Sequence, residues 1–206
     1  LGLFGVAVAL GAQDLFKNLI SGIFIIGERR FHPGDWIKID GVVEGTVDVI
    51  GFRTTTVVQF DKAPVYVPNS KLSDNAVVNF SRMSHRRIYW KIGLLYDTPI
   101  EQLKLIRSEI ESYVLGSDEF AHPPEVSTFV RIDSFNDSSI DLMLYCFTKT
   151  TDWGEWLEIK ERLAYTIKET VSRNGSGFAY PSQSIYIENF ASTDKPEIFQ
   201  PEKTNV

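Results

Sequence analysis

The chain has 206 residues, of which 43% are hydrophobic and 23% charged, a length that suits one or two folded domains. Its formal net charge of −6 argues against a nucleic-acid-binding protein, because such domains are usually basic. The single cysteine, Cys146, excludes an intrachain disulfide and argues against a cysteine-based zinc site. The three histidines lie far apart, and no serine-hydrolase, P-loop or zinc-protease motif is present. We therefore expect neither an enzyme nor a protein that carries a metal or another cofactor.

Residues 1–30 form an apolar segment whose first 27 residues contain only two charges, Asp14 and Lys17. As one helix, residues 1–26 would be about 39 Å long, enough to cross a hydrocarbon core of about 30 Å. A charge at the centre of a lipid-facing span costs about 2.5–3.5 kcal/mol on insertion scales, so the polar face must contact protein or water. Two interpretations remain at this point: a core helix of a soluble domain, or a helix that lines an aqueous pore.

A helical wheel places two kinds of surface side by side in this segment. One face is apolar first and polar later, with Leu3, Val6, Leu10, Gln13, Asp14 and Lys17. The neighbouring face has small residues, which let identical helices approach closely: Gly2, Gly5, Ala9 and Ala12. A ring of such helices would direct the apolar residues to a common axis and leave the polar residues in its aqueous part. Arg29 and Arg30 end the apolar run, so we expect them at the membrane interface, with the rest of the chain in the cytoplasm.

Residues 31–84 change to short β-branched runs separated by turn residues. The pattern predicts four or five strands, with bends or bulges at Gly45 and Gly51 and turns at residues 61–64 and 68–69. So many short strands with glycine bends within about 50 residues indicate a small, strongly bent barrel.

Residues 85–190 alternate between strand and helix patterns, and residues 191–206 form a tail without periodicity. Strands are predicted at residues 88–96, 126–135, 140–148 and 178–187. Helices are predicted after Thr98 and Asp152, because each is followed three residues later by a glutamate, the spacing of a capping box. Asn174 and Gly175 end the second helix. The resulting order β-α-β-β-α-β is that of a ferredoxin-like unit.

Short motifs follow one another at regular positions along residues 1–190. They are Gln13, Asn18-Leu19 and Gly22; Pro33-Gly34-Asp35-x-Ile37; Glu44-Gly45-x-Val47-x-x-Ile50-Gly51-x-Arg53-Thr54-Thr55; Val67-Pro68-Asn69-Ser70-x-Leu72; and Asn79-Phe80-Ser81-Arg82. In their order and spacing, these motifs resemble the mechanosensitive channel of small conductance family. The resemblance favours the pore helix over the core helix for residues 1–30.

The resemblance implies a homoheptamer of a bacterial inner membrane that opens under membrane tension and releases ions and small solutes during hypo-osmotic shock. By position, Val6 and Leu10 match the family's two rings of bulky apolar pore residues, and Leu3 extends that gate on our wheel. Gly22 matches a family glycine at which we expect the helix to bend. Asp14 departs from the family, whose well-studied members have a kink-forming glycine there. Because the chain begins with Leu1 instead of Met, we expect lipid-facing helices to precede it in the complete protein.

The predicted fold is an α+β membrane protein fragment. It combines a kinked pore-lining transmembrane helix at residues 1–30, an Sm-like β-barrel domain at 31–84 and a ferredoxin-like α/β cytoplasmic domain at 85–190. The expected partners are further copies of the chain, membrane lipids and permeating ions and solutes, and no nucleic acid. The alternative is a soluble, oligomeric, Sm-like binding module, which would not need the apolar segment.

Three smaller groups of residues have simpler interpretations. Asp133, Asp137 and Asp141 could hold a metal, but alternating acidic residues on strands usually form a solvated face. An arginine cluster beside His85 is expected to pair with carboxylates between domains or subunits; its members are Arg82, Arg86 and Arg87. Cys146 alternates with apolar neighbours and is predicted to be an inert core thiol.

Overall fold

The computed structural model describes residues 2–183, except for the side chains of Leu3 and Phe4. A long helix, α1 (Gly2–Glu28), is followed by β1 (Trp36–Ile39), β2 (Val43–Ile50), β3 (Thr54–Val58), β4 (Pro64–Pro68), the short helix α2 (Asn69–Ser73) and β5 (Val78–Asn79). The second half contains β6 (Arg86–Leu94), α3 (Ile100–Gly116), β7 (Phe120–Ala121), β8 (Phe129–Phe135), β9 (Ile140–Thr148) and α4 (Trp153–Arg173). The predicted tail at residues 191–206 lies outside the described residues.

Helix α1 confirms that the apolar segment is one helix, and it runs through Gly22 without interruption. It ends where Arg29 adopts a left-handed backbone with φ of 52°. Among residues 2–183 it is the one helix whose length and composition would allow it to cross a membrane, from Gly5 to Glu28. Only 17% of its most apolar stretch is buried, whereas a core helix would be mostly buried. The exposure argues against the core-helix interpretation.

The first half forms a five-stranded antiparallel sheet in the order β4-β3-β2-β1-β5. Alternate residues of its strands face a small core that includes Ile37, Ile39, Val47 and Val57. The register shifts between Val47 and Val49, which is the irregularity of a β-bulge. A side chain at Gly45 would collide with the backbone carbonyl of Val58, so the close approach of the two strands requires glycine here. We call residues 31–84 the β domain.

The predicted closed barrel is not found in this sheet. Within the described residues no strand pairing joins the two edge strands, β4 and β5. The open side of the core is instead filled by residues from outside the strands, because Ile25 of α1, Phe31 and Leu72 of α2 are all buried in the same cluster. The end of α1 is therefore part of the hydrophobic core of the β domain.

The second half is an antiparallel sheet with β9 at its centre. Strand β6 pairs along one edge of β9, and β7 and β8 pair along the other. Phe178, which follows α4 in the chain, pairs with Leu94 through a single antiparallel bridge on the edge of β6 that faces away from β9. Of the last predicted strand, residues 178–187, the structure shows only this bridge, since residues 179–183 belong to no strand and residues 184–187 lie outside the described residues. Up to Phe178 the observed helices and strands follow the predicted order, except that the short strand β7, which the sequence did not predict, lies between α3 and β8.

Helices α3 and α4 bury their apolar residues in one core with this sheet. The members include Ile106, Ile110, Val114, Ile159, Leu163, Ile167 and Val171. Asp152 caps α4 as predicted, since its carboxylate accepts the backbone N–H of Glu155 at 2.9 Å. The predicted cap at Thr98 is wrong: α3 begins at Ile100 after an extended Pro99, and no side chain caps it. The Thr98 hydroxyl lies 2.7 Å from the Ser176 hydroxyl instead.

Candidate functional site

The first turns of α1 carry apolar residues that are exposed among the described residues. Val6 is 58% exposed and Leu10 is 67% exposed. A side chain added at Gly2, Gly5 or Gly11 would meet no atom within 4 Å. The side chain of Leu3, the third residue predicted for the gate, lies outside the described residues. An apolar surface of this extent is typical of a surface that contacts lipid or another protein segment.

The polar residues of α1 divide into two groups. Gln13 and Asp14 are exposed. Lys17 instead forms an ion pair with the β domain, its Nζ atom lying 2.6 Å from Oδ2 of Asp74. Lys17 remains half exposed in this pair, and the lining of a pore by Gln13, Asp14 and Lys17 stays a prediction.

Asn18 attaches α1 to the first turn of α2. Its side-chain oxygen accepts the backbone N–H of Ser70 at 2.9 Å, and its amide donates to the backbone carbonyl of Asp14 at 2.8 Å. Together with the Lys17–Asp74 pair, this bond places α2 directly against the second half of α1. A movement of α1 at this level must therefore either carry α2 with it or break both contacts.

Gly22 lies where α1 packs closely against the β domain. A Cβ atom at this position would be 2.7 Å from Nδ2 of Asn69 and 3.2 Å from the carbonyl oxygen of Phe52. Asn69 is fully buried, accepts a hydrogen bond from the Thr55 hydroxyl and donates to the carbonyls of Gly51 and Phe52, at 2.8 to 3.1 Å. Close packing thus explains the glycine at position 22, and the predicted bend there stays a prediction.

Arg29 and Arg30 join the end of α1 to the β domain. The guanidinium of Arg30 donates to the carbonyls of Ser73 and Asn75, both at 2.9 Å, at the end of α2. Arg29 is exposed, and its carbonyl accepts a hydrogen bond from the Arg82 guanidinium at 2.7 Å. Arg30 thus fastens the end of α1 to the β domain, and the position of Arg29 and Arg30 at a membrane interface stays a prediction.

Arg86 lies between the β domain and the second half of the chain. Its guanidinium carbon is 5.1 Å from the ring centroid of Trp36, 4.5 Å from that of Trp153 and 5.2 Å from that of Trp156. Burial lowers the pKa of Arg86, and the nearby charge of Asp152 partly opposes this change. Among the described residues no ion pair involves Arg86, because aromatic faces surround it and its hydrogen bond goes to the carbonyl of Thr151. Pairing of the cluster with carboxylates of another subunit stays a prediction.

The candidates for metal binding and thiol chemistry have structural roles. Asp133 pairs with Lys91 at 2.6 Å, and Asp141 accepts the Ser139 hydroxyl at 2.7 Å. Within residues 2–183 no group of three or more histidine, cysteine or acidic residues could hold a metal ion. Cys146 is buried in the core, and burial raises the pKa of its thiol to about 12, so the reactive thiolate is suppressed.

The contacts between α1 and α2 were not predicted from the sequence. The sequence predicts a turn at Pro68 and Asn69, whereas the structure has the short helix α2 from Asn69 to Ser73. The first residues of α2 contact α1. One signal was present, because Asn69 and Ser70 belong to a motif that carried the family resemblance. Asn18 belongs to another of these motifs, in the apolar segment. Polar residues in two such motifs could have suggested that the two segments contact each other.

Two family models match the chain and together cover most of it. The model described as "Mechanosensitive ion channel, beta-domain" matches residues 14–82, and "Mechanosensitive ion channel MscS, C-terminal" matches residues 88–178. The first match begins inside α1 and includes the contacts between α1 and α2. The chain belongs to the MscS family of mechanosensitive ion channels.

Individual relatives agree with this assignment. The chain is 37% identical over 195 residues to the low conductance mechanosensitive channel YnaI of Escherichia coli, a match that covers 94% of this chain and 56% of YnaI. It is 33% identical over 189 residues to the small-conductance mechanosensitive channel MscMJ of Methanocaldococcus jannaschii, covering 91% of this chain and 52% of that protein. The chain thus spans about half the length of these curated relatives.

Solved structures share the same fold. MSL1 of Arabidopsis thaliana superposes with a TM-score of 0.80 at 27% identity, covering 87% of this chain and 64% of that chain. The closed state of MscS from Helicobacter pylori superposes with a TM-score of 0.78 at 25% identity, covering 92% of this chain and 72% of that chain. The arrangement of an apolar helix, a β domain and a C-terminal α/β region is therefore that of an MscS-like protein.

Proposed function

We propose that this chain forms the pore and cytoplasmic body of an ion channel that opens under membrane tension. The observation that carries the proposal is the exposed apolar face of α1, with Val6 and Leu10, on a chain of the MscS family. In a ring of copies, these residues and Leu3 would project towards a common axis. We propose seven copies, as the resemblance implies, surrounded by the lipids of a bacterial inner membrane.

Rings of Val6 and Leu10 would act as a hydrophobic gate. A narrow apolar constriction loses its water and blocks ions without closing completely. Tension favours the conformation with the larger area in the membrane plane, so the helices separate and the axis is wetted again. Gly2, Gly5 and Ala9 give each helix a smooth flank along which its neighbour can slide. During hypo-osmotic shock, ions and small solutes would leave the cell through the open gate.

The remaining parts of the chain would then lie in the cytoplasm, below the membrane interface at Arg29 and Arg30. We propose that the β domain belongs to the Sm-like class, with its open edges completed by neighbouring copies instead of by closure within one chain. We propose that residues 85–190 form a ferredoxin-like domain, since β6, β8 and β9 and the bridge at Phe178 follow the strand order of that unit. Gly22 remains the proposed position of a bend.

The test is patch-clamp recording of the full-length channel with Val6→Ser or Leu10→Ser. A hydroxyl in the constriction makes it easier to wet, so we expect opening at lower tension or a longer-lived open state. Val8→Ser is the matched control, because Val8 is 54% exposed on the same helix and lies on a different face. Tension thresholds that are equal in all three variants would show that these residues are not the gate.

The second candidate is a soluble, oligomeric, Sm-like binding module. The exposed apolar helix disfavours it, because such a surface would be unprotected in water. Cell fractionation distinguishes the two candidates. If the full-length protein is extracted from the membrane fraction only when detergent is added, the channel is supported. Recovery in the soluble fraction without detergent would overturn the channel proposal.

A further inference from the structure

The charge of the polar part of α1 depends on how its only two charged residues before Glu28 are compensated. Asp14 and Lys17 are three positions apart and have opposite signs, so the sequence alone gives this stretch no net charge. A ring of copies would then present equal numbers of carboxylates and ammonium groups. The contacts of the two side chains with the rest of the chain decide whether that balance is maintained.

The charge of Lys17 is compensated from outside the helix. Its Nζ atom lies 2.6 Å from Oδ2 of Asp74, which follows directly after α2. Asn18 is bonded to Ser70 of the same short helix, so the ammonium group is drawn towards α2 and held there. Each copy of the chain therefore contributes a neutral pair at this position.

Asp14 is not compensated in the same way. Its side chain is exposed, and within residues 2–183 no ion pair involves its carboxylate. Its hydrogen bond to Asn18 uses the backbone carbonyl and leaves the carboxylate open. Asp14 lies four residues after Leu10, about one helical turn further along the same face of α1. Each copy would place one unpaired negative charge directly beyond the apolar gate.

We infer that Asp14 makes the channel favour cations, because Asp74 removes Lys17 from the charge balance of the pore. This inference rests on the proposed function, since it requires α1 to line the pore. A ring of carboxylates at a narrow, water-filled opening raises the local concentration of cations and lowers that of anions. The ions it selects are small hydrated cations such as K⁺ and Na⁺, and the anion it disfavours is Cl⁻.

The experiment is the reversal potential of tension-activated currents through the full-length channel in a KCl gradient, from which the permeability ratio of K⁺ to Cl⁻ follows. We expect a ratio above one for the unmodified channel. Asp14→Asn should lower this ratio roughly threefold or more, because the ring loses its charge. Asp74→Asn should also lower it, since the released Lys17 then offsets Asp14. Lys17→Gln should leave the ratio unchanged or raise it, because it removes only the positive member of the pair.

Asp118→Asn is the matched control, because it removes the same charge from an exposed site in the cytoplasmic body. An equal shift for Asp118→Asn and Asp14→Asn would overturn the inference and assign the preference to the overall negative charge. An unchanged ratio in Asp14→Asn, with normal tension-activated currents, would overturn it while leaving the proposed function intact. A complete absence of tension-activated currents from the unmodified protein would overturn both.

Discussion

Asp35 shows how one side chain can hold a turn and a distant strand together. Its Oδ2 atom accepts the backbone N–H of His32 at 2.9 Å and the side-chain amide of Asn79 at 2.8 Å. Gly34 has a positive φ of 94°, so the turn between these residues needs glycine. Two of the motifs that carried the family resemblance, around Pro33 and around Asn79, are thus parts of one contact.

These contacts predict a dependence of stability on pH. Burial by itself raises the pKa of Asp35, but the hydrogen bonds from Asn79 and His32 and the nearby charges of Arg82 and His32 outweigh it, so the folded pKa lies below the usual value. A carboxyl group of this kind stabilises the fold above its unfolded pKa of about 3.9, and this contribution is lost as the pH falls through the folded value. Thermal unfolding at a series of acidic pH values measures this loss of stability.

We expect Asp35→Asn to lower stability near neutral pH and to flatten the decrease at acidic pH. Asp48→Asn is the control, because Asp48 is exposed in the same sheet and none of the hydrogen bonds among the described residues involves its side chain. Equal pH profiles for Asp35→Asn and the unmodified protein would show that the Asp35 carboxylate does not hold the turn.

Replacing Gly22 by alanine should cause a steric clash, and the same replacement at Gly27 of the same helix is the control without a clash. In Gly22→Ala the new methyl group would press on Asn69 and on the Phe52 carbonyl, and we expect a loss of about 1–3 kcal/mol of stability. Gly27→Ala meets no atom within 4 Å and should be neutral or stabilising by up to about 1 kcal/mol. The thermal unfolding midpoint in detergent measures both. A Gly22→Ala protein as stable as Gly27→Ala would contradict the close packing.

At the scale of whole elements, the two long helices of the second half begin in different ways. Helix α4 has a side-chain cap from Asp152, whereas α3 starts after Pro99 without one. The spacing of residues around Thr98 and Asp152 is the same, so the local pattern could not distinguish them. The difference arises from a tertiary contact. The Thr98 hydroxyl is hydrogen-bonded to the hydroxyl of Ser176, which follows α4, and so it does not cap α3.

This difference predicts unequal effects of removing the two side chains. Asp152→Ala should cost about 1 kcal/mol, because the first turn of α4 loses its cap, and Asp152→Asn should retain most of it. Thr98→Ala should leave the start of α3 unchanged, since no cap is lost there. Hydrogen exchange of the first-turn amides in each helix is the measurement. Faster exchange at α3 in Thr98→Ala would mean that Thr98 does cap that helix.

The sequence predicted the elements better than their contacts. The length of α1, the strand β9 and the end of α4 just before Asn174 and Gly175 follow from periodicity and turn residues, which act over a few positions. Closure of the β domain was not predictable in this way, because it depends on whether two edge strands meet. The helical wheel groups Val6, Leu10 and Asp14 on one face, but Val8 and Phe16 on other faces of α1 are exposed as well, so the face that would line a pore stays a prediction. The Lys17–Asp74 pair does not, because its members are far apart in sequence and only the fold brings them together.

At the scale of the whole molecule, Arg86 and three tryptophans join the two halves of the chain. Trp36 comes from β1, whereas Trp153 and Trp156 come from α4, and the guanidinium lies against all three rings. A buried cation among aromatic faces contributes about 2 kcal/mol when water is excluded. The position of the β domain relative to the C-terminal region therefore depends on this cluster.

We expect Arg86→Ala to loosen the two halves and to expose the segment before β6 to proteases. Arg86→Lys should be nearly as susceptible to proteases as Arg86→Ala, because an ammonium group cannot stack on aromatic rings as a planar guanidinium does. Arg87→Ala is the matched control, since Arg87 is exposed and contacts only Tyr145, at 5.9 Å, among the described aromatic rings. Limited proteolysis and tryptophan fluorescence measure the effect. Identical cleavage in Arg86→Ala and Arg87→Ala would show that the cluster does not hold the halves together.

The central position of β9 has a consequence for how the protein is made. The strand pairings of the β domain all lie within residues 36–79, so that sheet can form as soon as its last strand has left the ribosome. Strands β6 and β8 pair only with β9 among the named strands, and β9 is synthesised last of the three. Both carry unpaired edges until then, and such edges are prone to aggregation. A ribosome that stalls before residue 140 would therefore release a chain with a folded β domain and an unfolded, aggregation-prone second half.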